Sequence, residues 1–405
     1  MTEMLAESAP EGRRRWHIPD YILLPFYLMA IGVLLRYAVY VRSSSNWGFG
    51  EYLRAMCVYD CNAYERLSLN GYEGRPAGFD KGDANNWAFF PVFSILSWAL
   101  SKLSNTSVLI AGSVLGNLLS VAAAIVSWPL FDNGESRKRA YFLFCFFLFL
   151  GPLSFYFTTP YTESLFLLFT MAGFVLLKQR DYVTAGVTGA LMSATRSTGL
   201  LFAAALFIQA LQDHVRDGGK VSGFFRTLWR RTDLMLAIVL VPVGLCCFAL
   251  YMYFHTGLSV GNGGPGGDAL AFVHIQRAWG RAFQNPFGNL WLALTQQFKP
   301  GFTFNGVGTD LAFGIAAILG MVLSGVLAWR RQWAMALFCL GGVLLPLSTN
   351  TYSMVRFVAG LGPLLVVAAM MLAHWKWLYY LVLPALLILD VLLVQTWIGR
   401  SYYMM

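Results

Sequence analysis

The chain reads as an all-α, polytopic integral membrane protein, and three observations lead there. Of its 405 residues, 57% are hydrophobic and only 12% charged, about half the charged share of a soluble domain. Its mean hydropathy is +0.58. Apolar runs of about 20 residues recur from Tyr21 to the C-terminus, each long enough to cross a ~30 Å hydrocarbon core as a helix. The outward-apolar alternation of a membrane barrel is missing.

The net charge of +9 comes mostly from basic residues clustered in short loops, where they set orientation. No face or tail concentrates that charge, so nucleic acid is not an expected partner. Cys145, Cys246, Cys247 and Cys339 fall within apolar runs and read as small buried hydrophobes. Cys57 and Cys61 flank Asp60 and can form a disulfide only where the backbone departs from an ideal helix. Too few partners stand nearby for a metal site.

Residues 1–19 are polar and contain Arg13, Arg14 and Arg15, which argues for a cytoplasmic N-terminus. The first apolar run, about Asp20–Val41, is too long for a signal peptide and lacks a cleavage site. A first external loop, 43–88, follows. Within it Glu51–Asn70 has helical spacing, with Tyr52, Met56, Tyr59, Ala63 and Leu67 near one face, and reads as one amphipathic helix on the membrane surface. Gly71–Asn86 reads as loop.

Further apolar runs occupy 87–103, 108–131, 140–158, 160–178, 183–210, 233–256, 311–329, 333–349, 355–374 and 377–398. The basic loops between them are Arg137–Arg139, Lys178–Arg180, Arg216–Arg231, Arg330–Arg331 and Lys376. Simple alternation of crossings does not put all of these inside. It does so if the short, proline-containing 87–103 is re-entrant, and if 183–210, interrupted by Arg196-Ser197-Thr198-Gly199, is two half-helices that turn back. The second external loop, 257–310, opens with a glycine-rich stretch and continues as an amphipathic segment around His274–Arg281 that suits an interfacial helix. The expectation is one membrane domain, 1–405, of about 10–13 segments with two external loops carrying interfacial helices.

Candidate chemistry gathers at few positions. Asp60, among Tyr59, Asn62, Tyr64 and Glu65, is a carboxylate near the membrane boundary, suited to act as a general base toward a hydroxyl; the plainer reading is a solvated loop acid. Glu163, between two apolar runs, is either a functional intramembrane acid or a helix N-terminal one. Arg196 has apolar sequence on both sides, so it needs an anion: a lipid phosphate, or an internal partner such as Asp60 or Glu163. Arg356 invites the same two readings, while Arg36 in the first helix reads as snorkelling or pairing. His274, Gln276, Arg277 and Arg281 could grip a phosphate or sugar hydroxyls, or form the polar face of an interfacial helix.

Several fragments together resemble one family. They are Asp60-x3-Tyr64 running to Asn70-Gly71-Tyr72, Ala88-Phe89-Phe90-Pro91, Pro160-Tyr161-Thr162-Glu163-Ser164-Leu165-Phe166 and Thr195-Arg196-Ser197-Thr198-Gly199-Leu200. Gln276-x2-Trp279-Gly280-Arg281 and Ser353-x2-Arg356-Phe357 extend the series. In this order they look like the PIG-V family, GPI mannosyltransferase II and its bacterial relatives, within the GT-C glycosyltransferase superfamily. Two positions depart: Tyr59 stands where the family usually has Trp, and Thr198 where it often has Asn.

The resemblance implies a GT-C-type helical bundle and a bacterial member sited in the inner membrane. It also implies inverting transfer of a sugar, mannose first, from a polyprenyl-phosphate donor to a lipid or glycan acceptor at the external face. Asp60 matches the catalytic acid of the first external loop. Positive charge is needed at the leaving phosphate, and Arg196, with Arg356 or Arg277, suits that task. The implied partners are the lipid-linked donor, the acceptor and membrane lipids; no cofactor is expected, and no metal, since the external loops lack a cluster of carboxylates. Two other classes stand beside this one. A lipid or solute transporter would also use broken helices and intramembrane arginines, although no paired halves are visible. A non-catalytic subunit would tolerate replacement of Asp60.

Overall fold

The computed structural model describes residues 19–73, 86–132, 134, 136–256, 283–295 and 304–399. The chain forms α1 (Asp20–Ser44), α2 (Phe49–Met56), α3 (Asp60–Asn70), α4 (Pro91–Ser104), α5 (Val108–Ser127), α6 (Ser136–Phe149) and one-turn α7 (Phe155–Thr158). It continues as α8 (Glu163–Lys178), α9 (Tyr182–Thr195), α10 (Leu201–Arg216), α11 (Phe224–Arg230), α12 (Thr232–Thr256) and α13 (Pro286–Thr295). Last come α14 (Phe304–Trp329), α15 (Trp333–Leu347), α16 (Met354–Ala359), α17 (Gly362–His374) and α18 (Lys376–Ile398). No strand occurs among the described residues.

Six stretches among them are long and apolar enough to cross a membrane: Asp20–Ser44, Val108–Leu130, Ser197–Arg216, Thr232–His255, Asp310–Trp329 and Tyr380–Ile398. Trp333–Leu347 and Gly362–His374 are apolar but shorter. The protein is an all-α, polytopic integral membrane protein. Its centre is α6, where Leu143, Phe144, Cys145, Leu148 and Phe149 have no exposed surface at all.

The basic loops share one end of the bundle, and named contacts tie them to one another. Lys138 faces Asp20 at the start of α1. Lys178 Nζ donates to Pro129 O at 2.6 Å, and Arg330 pairs with Asp132. Gln212 donates to Arg331 O at 3.0 Å, and Arg180 pairs with Asp217 through two hydrogen bonds of 2.8 and 2.9 Å.

Residues 182–216 enter and leave at that basic end. Tyr182, first in α9, donates to Asp213 near the end of α10 at 2.7 Å, so the two half-helices run antiparallel. The reversal is at Arg196, whose extended backbone (φ −154°, ψ 141°) stops α9. Gly199 makes the return possible: a Cβ there would lie 2.4 Å from Met192 C.

Helix α4 does not cross to the basic end. It starts with Pro91, already suited to a first helical turn, and lies beside α3, with Ser94 Oγ donating to Tyr64 O at 3.2 Å. It then turns through a left-handed Asn105 into α5, whose Ser107 caps Ile110 N. Segment 87–103 thus begins and ends away from the basic loops.

Three expectations need correction. Cys246 and Cys247 on α12 are exposed at the surface of the bundle, whereas Cys145 and Cys339 are buried. Glu51–Asn70 is not one helix but α2 and α3, broken at Cys57–Tyr59, because Tyr59 adopts φ +51°. That break lets Cys57 and Cys61 form a disulfide across a Cα–Cα distance of 5.2 Å. Arg36 does not snorkel. It is 1% exposed and donates inward to Phe149 O at 2.9 Å and Ser154 Oγ at 2.8 Å.

Candidate active site

At the end opposite the basic loops, four charged side chains from distant parts of the chain meet. Asp60 is the first residue of α3 and Glu163 the first of α8, where the helix dipoles favour carboxylates. Arg196 sits at the C-terminus of α9, where a cation is favoured. Arg356 projects from short α16, entered through a left-handed Ser353 (φ 63°).

Arg356 Nη1 donates to Asp60 Oδ2 at 2.5 Å, and its Nε lies 3.1 Å from Glu163 Oε1. Arg196 Nη1 donates to the same Glu163 oxygen at 2.6 Å. The order is therefore Asp60–Arg356–Glu163–Arg196, with alternating sign. Glu163 is 1% exposed, the arginines 15% and 16%, and Asp60 31%. Asp60 is the open end of the chain of charges, and Glu163 its buried anchor. The second Glu163 oxygen, Oε2, is buried with no hydrogen-bond partner among the described residues.

Aromatic rings enclose the guanidinium groups. Arg356 lies 5.9, 5.6 and 5.4 Å from the ring centroids of Tyr156, Tyr161 and Phe357. Arg196 lies 5.7 Å from Phe166 and 5.3 Å from Phe357. Such faces attract a cation without needing a charged partner.

The backbone that presents Asp60 is pinned from several sides. Trp397 near the end of α18 donates to Met56 O at 2.9 Å, and Tyr161 OH donates to Val58 O at 2.8 Å. Tyr59 packs edge-on against Trp397. A non-glycine residue at φ +51° costs about 1–3 kcal/mol, and these contacts with the disulfide hold it there. Tyr64, one turn along α3, shares a 3.2 Å hydrogen bond with Thr162, next to Glu163. Burial first, then the charges of Glu163 and Asp60, push the Tyr64 phenol well up, so it remains a neutral hydroxyl.

The irregular segment before Glu163 is served by α5. Ser120 donates to Phe157 O at 2.6 Å and Asn117 to Thr158 O at 3.0 Å, as non-helical backbone inside a membrane protein requires.

Of the candidates read from the sequence, Asp60, Tyr64, Glu163, Arg196 and Arg356 come together. His274, Gln276 and Arg277 lie outside the described residues. The solvated-acid reading of Asp60 does not describe a carboxylate paired to Arg356. Glu163 opens a helix, as its helix N-terminal reading expects, and is paired to both arginines.

A second polar cluster went unread: Arg36 donates to Ser154 Oγ, which donates to Asp390 Oδ1 at 3.1 Å, with Asp390 fully buried. Its signal was a lone acid inside the apolar run 377–398, which is costly unless partnered. Among the described residues, no three of His, Cys, Asp and Glu stand together as metal ligands.

These features define a helical membrane protein with a charged cluster at the end of its bundle that faces away from the basic loops. No family model matches the chain, and no curated protein matches its sequence. Among solved structures, it is similar to two crystal structures of the Archaeoglobus fulgidus oligosaccharyltransferase, one in complex with Zn and sulfate, the other in the apo form. Each has a TM-score of 0.49, with 11% and 12% sequence identity respectively. The matches cover 92% and 96% of this chain but 53% and 56% of the other. The chain thus spans about half the length of the solved structures it matches.

Proposed function

We propose that the protein is an inverting glycosyltransferase of the GT-C, PIG-V-like type, a bacterial inner-membrane enzyme. It moves a sugar, mannose first, from a polyprenyl-phosphate donor to a lipid or glycan acceptor. The observation that carries this reading is the four-residue cluster: one accessible carboxylate, Asp60, beside two ring-enclosed guanidinium groups. A carboxylate takes a proton, and arginines hold a phosphate.

In this reading the acceptor hydroxyl gives its proton to Asp60 as its oxygen bonds to the anomeric carbon from the face opposite the phosphate. The bond from that carbon to the phosphate oxygen breaks, its electron pair stays on that oxygen, and the lipid phosphate leaves. Arg356 and Arg196 stabilise the charge gained there, a task the reading gives to arginine without a metal. The partners are the lipid-linked donor, the acceptor and membrane lipids. The basic end is cytoplasmic and the site external, by the positive-inside rule.

The test is turnover of radiolabelled polyprenyl-phosphate-mannose by purified protein in detergent, with and without a membrane-lipid extract as acceptor. Extract-dependent release of label, reduced at least about 100-fold in Asp60→Asn, is the expected result. Near wild-type turnover by that variant would remove Asp60 as the base. The intramembrane relay of Arg36, Ser154 and Asp390 favours a second reading, a lipid translocase. It predicts lipid movement across vesicle bilayers without release of label.

A further inference from the structure

We infer that the Asp60–Arg356 ion pair is an exchangeable latch, which the donor phosphate opens by taking Arg356, so that Asp60 becomes free to act only once donor is bound. This rests on the proposed glycosyl transfer.

Arg356 has one fixed partner and one removable one. Its Nε faces Glu163, 1% exposed and itself tied to Arg196. Its Nη1 faces Asp60, 31% exposed and on the open side. An anion arriving from that side meets the Asp60 contact first. The three rings around Arg356 offer a swinging guanidinium attractive faces, so leaving Asp60 does not strand it.

Donor geometry calls for the exchange. Arg356 Nη1 is already held by Asp60 and its Nε faces Glu163, so a phosphate oxygen that takes Nη1 displaces a carboxylate. Glu163 is too buried to give way, which leaves Asp60. An Asp60 oxygen no longer occupied by Arg356 Nη1 is open to the acceptor hydroxyl, so the event that seats the donor also uncovers the proton acceptor.

In the transfer step the acceptor O–H bond breaks and its proton goes to Asp60. The acceptor oxygen bonds to the anomeric carbon, the carbon–phosphate-oxygen bond breaks, and its electron pair ends on the phosphate held by Arg356. The cluster, having gained a proton on Asp60, now carries one net positive charge beside the more negative leaving group. Donor must therefore bind before acceptor chemistry begins.

The experiment is binding of undecaprenyl phosphate to the purified full chain in detergent, compared for wild type, Asp60→Asn, Asp60→Ser and Arg356→Gln, alongside wild-type turnover. Removing the competing carboxylate is expected to tighten binding about fivefold in both Asp60 variants, even though their transfer activity is gone. Arg356→Gln is expected to weaken it at least about tenfold. Affinity unchanged or weakened in a folded Asp60 variant, with wild-type turnover intact, would overturn the latch and leave the transferase reading standing. Absence of both turnover and lipid-phosphate binding in wild type would overturn the two together. Asp60→Ser carries the comparison if Asp60→Asn does not give a monodisperse protein.

Discussion

Glu163 shows how one residue can be structural and functional at once. Its Oε1 takes Arg196 and Arg356 together while the side chain stays 1% exposed. Truncating it strands Arg196 and leaves Arg356 with Asp60 alone, and breaking such a buried pair costs about 3 kcal/mol. We expect Glu163→Ala to lower the thermal midpoint in detergent, and Glu163→Ala with Arg196→Leu to regain part of the loss, since one stranded cation goes too. Equal midpoints for Glu163→Ala and wild type would mean that the network does not hold the fold. At this scale much was legible. Asp60, Glu163, Arg196 and Arg356 each stand out as charges in apolar or aromatic company. Their order in the network was not, because 296 residues separate Asp60 from Arg356.

At the scale of elements, the α9–α12 pair is built by close approach. Gly244 lies against Ala190, where a Cβ would sit 1.9 Å from Ala190 O. Pro242 removes a donor from the α12 ladder. On either side of it, Ser193 Oγ lies 2.6 Å from Val241 O and accepts from Leu245 N at 3.1 Å. Small residues and a bridging hydroxyl are how membrane helices gain contact without a hydrophobic drive. Gly244→Ala should force the helices apart, at about 2 kcal/mol, and shift Arg196 at the end of α9. A lower thermal midpoint with reduced turnover is the expected result; an unchanged midpoint would show that the backbone relaxes around the methyl. The break of α9 from α10 was legible as Arg-Ser-Thr-Gly inside an apolar run. The split of α2 from α3 was not, because a positive φ at Tyr59 is held by Trp397 and Tyr161, which only the fold supplies.

For the whole molecule, the basic loops share one end and the charged site lies at the other. The proposed orientation follows from that arrangement and the positive-inside rule. In a chain whose free cysteines, Cys145, Cys246, Cys247 and Cys339, are replaced, Ser222→Cys should react with a membrane-impermeant maleimide only from the cytoplasmic face. Asn70→Cys should react only from outside. Both positions are exposed. The reverse pattern would invert the protein and put the transfer on the cytoplasmic side.

Composition alone determined the solvent: with 12% charged residues, recurrent apolar runs leave a helical membrane bundle as the stable outcome. Local sequence also determined the break between α9 and α10, and which charges cannot sit in lipid unpaired. The tertiary structure decided who pairs with whom. It joined α3, α8, α9 and α16 so that Arg356 links Asp60 to Glu163, and joined α1 to α18 through Arg36, Ser154 and Asp390. The physical reason is that an intramembrane charge announces its need for a partner in its own neighbourhood, whereas the partner is chosen by packing across the bundle.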